Sequence, residues 1–219
     1  MLPAGKEASP EAFEDLIAAR VSAFEISLST REISLLARYL GLLDFWRRRT
    51  NLTGPFPAET LVEHAMESCL GADLLPVRAQ VADIGSGAGL PGIPIAILRS
   101  DISLVPVEPR RKRREFLDRV RETLSIGPSP EAPRLLPAVA SISTLAVGSC
   151  DAALARAVGS ISQVLDAAPF LSPSGQFLAW TTDPDALARS LDGRFRLERV
   201  REVPASEKKQ IAVFRRVPG

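Results

Sequence analysis

From Asp83 to Gly92 the chain reads Asp-Ile-Gly-Ser-Gly-Ala-Gly-Leu-Pro-Gly, three alternating glycines behind a carboxylate. Glycines there let the backbone turn sharply and come close to a ligand. The spacing excludes two common uses of such a loop. A dinucleotide fingerprint needs G-x-G-x-x-G, and counted from Gly85 its third glycine falls on Leu90; a P-loop needs a Gly-Lys-Ser/Thr, and none follows. Glu108 lies 19 residues past Gly89, where an acid closing a second strand can accept from both ribose hydroxyls of a nucleoside. A solvated strand-end glutamate is the plainer alternative. Arg110-Arg111-Lys112-Arg113-Arg114 is an unbroken run of cations, and Arg47-Arg48-Arg49 is a second cluster. Such a run is either a solvated helix face with Arg111–Glu115 and Arg114–Asp118 pairs or a contact for a phosphate backbone. His64 is the only histidine. On a helix with apolar neighbours it reads as structural, and no Gly-x-Ser-x-Gly nucleophile elbow exists.

The elements that must position these groups follow from the pattern. Ser29-Thr30-Arg31-Glu32 is a capping box opening a helix with Ile33, Leu36, Leu40, Leu43 and Trp46 on one face, ending near Arg47 to Arg49. Weaker helices are expected over Glu11 to Ala23 and Glu59 to Leu74. The texture then changes. Val81 to Ile84 reads as a strand running into the glycine loop, and Pro91 as the first residue of a helix reaching Arg99. Ile102 to Val107 is a second strand, followed by a helix over Pro109 to Leu124 that buries Phe116, Leu117, Val120 and Leu124. Further strands are expected at Arg134 to Ala138, Ala152 to Ala155, Gln176 to Trp180, Phe195 to Val203 and Ile211 to Phe214. Helices are expected at Ser160 to Phe170 and Asp183 to Leu191, and Gly127 to Pro133 reads as a loop. Too few residues separate Val203 from Ile211 for a crossover helix, so the last two strands should be antiparallel. Residues 1–75 form a helical extension in this reading, and 76–219 an α/β domain.

The order acid-x-Gly-x-Gly-x-Gly resembles the S-adenosylmethionine loop of Rossmann-like methyltransferases. Further residues resemble one family, the bacterial small-subunit rRNA guanine-N7 methyltransferases, also called the glucose-inhibited division protein B family. They are Trp46, Asn51-Leu52-Thr53, His64 with Glu67-Ser68, the block Asp83 to Pro94, Lys112 with Phe116-Leu117, and Ala155-Arg156-Ala157. The resemblance implies a Rossmann-like class I methyltransferase fold with an N-terminal helical extension and an antiparallel C-terminal strand. It implies methyl transfer from S-adenosylmethionine to a guanosine of 16S rRNA, on the free RNA or an assembling small subunit. Carried over, the cofactor site comprises Asp83, Gly85, Gly87, Gly89, Leu90 and Glu108, with backbone groups of Ser141 and Ile142 near the adenine. Arg156 borders cofactor and acceptor as an orienting residue. No catalytic base is expected, because guanine N7 already carries a free lone pair. Arg47, Arg48, Arg110, Arg111, Lys112 and Arg113 become candidates for RNA. The chain departs from the family pattern at Ala140 to Ser143, which lacks an acid, at Thr181-Thr182 in place of Lys-Gly, and at Glu67-Ser68 in place of Asp-Ser. A small-molecule methyltransferase and a non-catalytic RNA-binding or ribosome-assembly factor are the competing functions.

Composition bounds these readings. Apolar residues make up 46% and charged residues 24% of 219, which suits a chain with a buried core and excludes a disordered one. With 27 basic and 26 acidic residues the net charge is +1, so a polyanion must be held by local patches rather than by an overall field. Cys69 and Cys150, 81 residues apart, suggest neither a disulfide framework nor a metal cluster. No apolar run reaches membrane-spanning length. A soluble, cytoplasmic, monomeric protein without a metal is expected.

Overall fold

A computed structural model of the protein describes residues 10–124, 134–156, 170–204, 206 and 208–217. Most of the expected helix at 160–170, the loop at 127–133 and Ala157 lie outside the described residues; Phe170 leads directly into a strand.

Three helices come first. In α1 (Pro10–Arg20), Phe13 and Ile17 sit one turn apart and are fully buried. The chain continues as a 3-10 turn, Val21–Phe24, closed by Glu25 at φ 54°. The capping box expected at α2 (Thr30–Arg47) is made: Glu32 N–H donates to Ser29 Oγ, and Ser29 N–H donates to the Glu32 carboxylate at 2.6 Å. Helix α3 (Ala58–Cys69) is shorter than its pattern suggests, and a separate 3-10 turn covers Ala72–Leu74. The break falls at Gly71, where a Cβ would stand 2.6 Å from Trp180 Cη2. The chain turns there to admit the indole.

Strands β1 (Gln80–Ile84), β2 (Ser103–Val107), β3 (Arg134–Leu135), β4 (Cys150–Arg156), β5 (Leu171–Thr181), β6 (Phe195–Glu202) and β7 (Gln210–Arg216) form one sheet ordered β3-β2-β1-β4-β5-β7-β6. The first five run parallel; β7 pairs antiparallel with both β5 and β6. The antiparallel pairing of the last two strands was therefore expected, but not the insertion of β7 between β5 and β6. Helices α4 (Gly92–Leu98), α5 (Arg111–Leu124) and α6 (Pro184–Ser190) complete the described elements. Helix α4 starts one residue later than expected: Pro91 is its N-cap, with a cis peptide bond before it.

Alternate residues along the strands serve opposite faces. Val81, Leu104, Leu154, Leu178 and Ile211 join one hydrophobic cluster with Phe13, Leu40, Leu61, Ile95 and Phe116. Ala82, Val105, Ala153, Phe177 and Phe214 join a second with Leu191 and Phe195. Helices α1 to α3 thus share a core with the sheet. β1 has β2 on one side and β4 on the other, so the sheet switches direction there, and its carboxyl edge is where open α/β sheets bind ligands.

Candidate functional site

The glycine loop leaves β1 at that edge. Gly85 and Ser86 both donate backbone N–H bonds to Val107 O, at 2.9 and 3.1 Å, which ties the loop to the end of β2. Gly87 adopts φ +52°, a left-handed conformation that side chains resist. A Cβ there would also lie 3.3 Å from Arg113 Nη1 and 3.8 Å from Glu108 Oε2. Gly87 N–H donates to Glu108 Oε2 at 3.1 Å, and Arg110 N–H donates to Oε1 at 2.9 Å. Glu108 is 3% exposed, so the solvated strand-end alternative does not apply. Each of its oxygens retains acceptor capacity beside the loop.

Asp83 is wholly buried. Its Oδ2 accepts from Ser86 Oγ at 2.5 Å, while Oδ1 has no partner among the described residues. Burial pushes its pKa up to about 6, opposed by bonds from Ser86 and the Gly92 backbone and reinforced by the charge of Glu108. The loop also rests on the first helices, since buried Tyr39 donates its hydroxyl to Ala88 O at 2.7 Å. Burial, then the charge of Asp83, raises the Tyr39 pKa well above the ordinary value, so it remains a neutral donor. The sequence reading missed Tyr39, although it is the only tyrosine and sits on the buried stripe of α2.

Glu108 N–H donates to Val139 O and Val139 N–H to Pro106 O, both at 2.9 Å, which ties Val139 to the end of β2; Ser141 and the turn Ile142–Thr144 follow directly in the chain. Ile142 is buried and Ser141 exposed. Leu90, half-buried, ends the glycine loop.

Arg156, at the end of β4, turns toward α3. It donates to Glu67 Oε2 at 2.8 Å, His64 O at 3.1 Å and Ser68 Oγ at 3.4 Å. Lys209 Nζ takes Glu67 Oε1 at 2.5 Å, and Trp180 Nε1 donates to Glu67 O at 3.0 Å. A carboxylate only 5% exposed is thereby held between two cations. Burial lowers the Arg156 pKa, with Glu67 opposing it. His64 falls to about 4 through burial and then the charge of Arg156, so it is neutral near pH 7. Its ring meets Phe56 edge-on, centroids 5.5 Å apart. Lys209 and Trp180 escaped the sequence reading because each is far from α3 in the chain and carries no motif.

The basic clusters divide into two kinds. Arg47 and Arg48 grip buried Asp44 at 2.6 and 2.8 Å, and Arg47 also donates to Gly54 O. Burial alone would raise the Asp44 pKa, yet these two arginines hold it below the usual carboxylate range. The Arg114–Asp118 pair suggested by spacing is not formed. Arg114 instead reaches Glu108 O and Pro109 O, and Asp118 accepts from Ala138 N–H. Arg113 points inward, while Arg110, Arg111 and Lys112 are exposed, with Arg111 3.0 Å from Glu115. Three cations exposed at the start of a helix oppose its dipole.

This sheet order and loop define a class I methyltransferase fold. A methyltransferase from Aquifex aeolicus described as SAM dependent superposes with a TM-score of 0.57 at 13% identity, covering 78% of this chain and 97% of that one. The ribosomal protein L11 methylase of Lactobacillus delbrueckii subsp. bulgaricus gives 0.54 at 15% identity, covering 74% and 81%. Residues 32–186 match the family model GidB, rRNA small subunit methyltransferase G, and the chain belongs to that family. Curated relatives carrying the name ribosomal RNA small subunit methyltransferase G occur in Mycobacterium leprae, 36% identical over 67% of this chain and 60% of that protein, and in Rubrobacter xylanophilus, 33% identical over 80% and 66%. The chain thus matches slightly under two thirds of those two proteins. The relative in Leptothrix cholodnii is 31% identical over 75% of this chain and 76% of that protein.

Proposed function

We propose that the chain transfers a methyl group from S-adenosylmethionine to N7 of a guanosine in 16S rRNA. The carrying observation is the pairing of a glycine at φ +52° with a buried acid that accepts its N–H at 3.1 Å, in a chain of this family. The residues fit a nucleoside donor. Gly85 and Gly87 put no side chain of their own in the way of a ligand, and Glu108 retains lone pairs for two ribose hydroxyls. The turn at Ser141 and Ile142 stands where an adenine could lie beside Glu108. Asp83 Oδ1, buried and unpartnered among the described residues, suits the ammonium end of the same ligand. When bound, S-adenosylmethionine supplies an electrophilic methyl group.

The chain's own task is positioning. Guanine N7 presents its lone pair without losing a proton, so no general base is needed; neutral His64 and the committed Glu67 agree with that. Tyr39 and the Val107 bonds hold the loop still, and Arg156, fixed by Glu67 and Ser68, borders the acceptor side. Alignment of this kind, with water excluded, lowers a barrier by several kcal/mol or more. N7 is poorly reached inside an A-form helix, so the target base should sit in a loop or splayed from its stack. Arg110, Arg111 and Lys112 take the RNA backbone, the return for placing them against the helix dipole. Among the described residues no helix is long and apolar enough to cross a membrane, and we assign the activity to the cytoplasm and to a single chain.

Two measurements test the function. Calorimetry with S-adenosylhomocysteine should show a single site, and none would sink the enzyme reading and leave an RNA-binding or assembly role. Radiolabelled methyl offered against 16S rRNA and a metabolite pool should enter the RNA; label in the metabolites would favour a small-molecule methyltransferase.

A further inference from the structure

We propose that Arg113 is a positioning residue that ties the loop between α2 and α3 to Glu108, so that donor binding orders the acceptor-side wall of the site. The proposal rests on the donor reading above. Arg113 belongs to the exposed run by sequence, yet its side chain is only 24% exposed. Nη1 stands 3.9 Å from Glu108 Oε2, and Nη2 donates to Asn51 O at 2.8 Å. Both arms of the guanidinium are thus directed inward, one to the acid and one to the loop. A planar fork can address two acceptors at once, which an ammonium on a single stem cannot.

The loop it grips crosses from one strand end to another. Asn51 meets Arg113 near the end of β2, Gly54 O accepts from Arg47, and Phe56 packs against His64, whose carbonyl accepts from Arg156 at the end of β4. Asn51 and Phe56 are exposed. Residues 51–56 therefore span the carboxyl edge of the sheet beside the glycine loop, where an acceptor base must enter. A nucleoside whose hydroxyls donate to Glu108 fixes the carboxylate in one orientation and with it the guanidinium 3.9 Å away, and the 2.8 Å bond to Asn51 O carries that ordering to the loop. Such coupling is reciprocal, so an ordered loop also strengthens donor binding.

Amide exchange of residues 51–56, measured on the full chain with and without saturating S-adenosylhomocysteine, tests this. In the wild type the ligand should slow exchange there by about fivefold or more. Arg113→Gln should lose that protection at saturation while keeping its circular dichroism. Arg113→Lys, which retains a charge near Glu108 but lacks the fork, should still bind the ligand, weakened by no more than the about fivefold that reciprocity requires, and lose the protection at saturation. Protection unchanged in both variants, or absent from a wild type that binds the ligand, overturns the proposal. So does a loss confined to RNA affinity with protection intact, which would make Arg113 a phosphate contact. A wild type that binds no S-adenosylhomocysteine overturns the donor reading itself, and this proposal with it.

Discussion

Gly87 and Asp83 carry the sharpest consequences at the scale of single residues. Valine at 87 would have to adopt φ +52° and place its branches toward Arg113 and Glu108. Left-handed backbone costs an L-residue about 1 to 2 kcal/mol, too little to unfold a domain. Gly87→Val is therefore expected to remain folded with a lowered melting temperature and to lose S-adenosylhomocysteine binding by calorimetry. Asp83 links binding to pH. Its folded pKa of about 6 lies above the ordinary 3.8, so the folded state keeps a proton that the unfolded chain has lost. Stability from this group is greatest below about pH 4 and declines as pH rises toward 6. Donor affinity should move the other way, because an ammonium favours the ionised carboxylate: titrations between pH 5 and 8 should show it rising through about pH 6. Asp83→Asn should flatten that dependence.

At the scale of elements, α2 supports the glycine loop. Tyr39→Phe removes the donor to Ala88 O, leaving a buried carbonyl unpaired, which costs about 1 to 3 kcal/mol. Thermal unfolding should fall accordingly, and donor affinity should weaken more than in a Ser29→Ala control that merely loosens the start of α2. Much of this level was legible in the chain. The capping box at Ser29 and Glu32 and the apolar spacing along α2 and α5 describe interactions between near neighbours. The place of β7 was legible in principle too. Ile211-Ala212-Val213-Phe214 is continuously apolar and buried on both faces, as a central strand requires. Phe195 to Glu202 is mostly charged and mostly exposed, as an edge strand should be. What the local pattern omits is contact across long intervals: Tyr39 with Ala88, Glu67 with Lys209, Gly71 with Trp180. The stop of α3 at Cys69 belongs with these, since an indole more than 100 residues later decides it.

For the whole molecule, charge is an arrangement rather than a sum. A net charge of +1 conceals cations used in two ways. Arg47, Arg48, Arg113 and Arg114 are directed to internal partners, and from sequence they look the same as Arg110, Arg111 and Lys112, which face solvent. The glycine loop stands out in the sequence because backbone conformation constrains its glycines. No such constraint distinguishes one arginine of a run from another. Replacing Arg110, Arg111 and Lys112 together with Gln should weaken RNA binding and reduce the slope of log K against log salt by about 0.7 per lost contact with single-stranded RNA. S-adenosylhomocysteine binding should not change.

The central claim is that the glycine loop, Glu108 and the loop at 51–56 together present one methyl donor to one guanine. Its most direct test supplies purified protein and methyl-labelled S-adenosylmethionine to small ribosomal subunits from cells lacking the protein, then maps the 16S rRNA by mass. Label is expected as 7-methylguanosine at a single nucleotide and should be lost with Gly87→Val. Label at another atom or at many guanosines, or RNA left unlabelled by a protein that binds the donor, would contradict it.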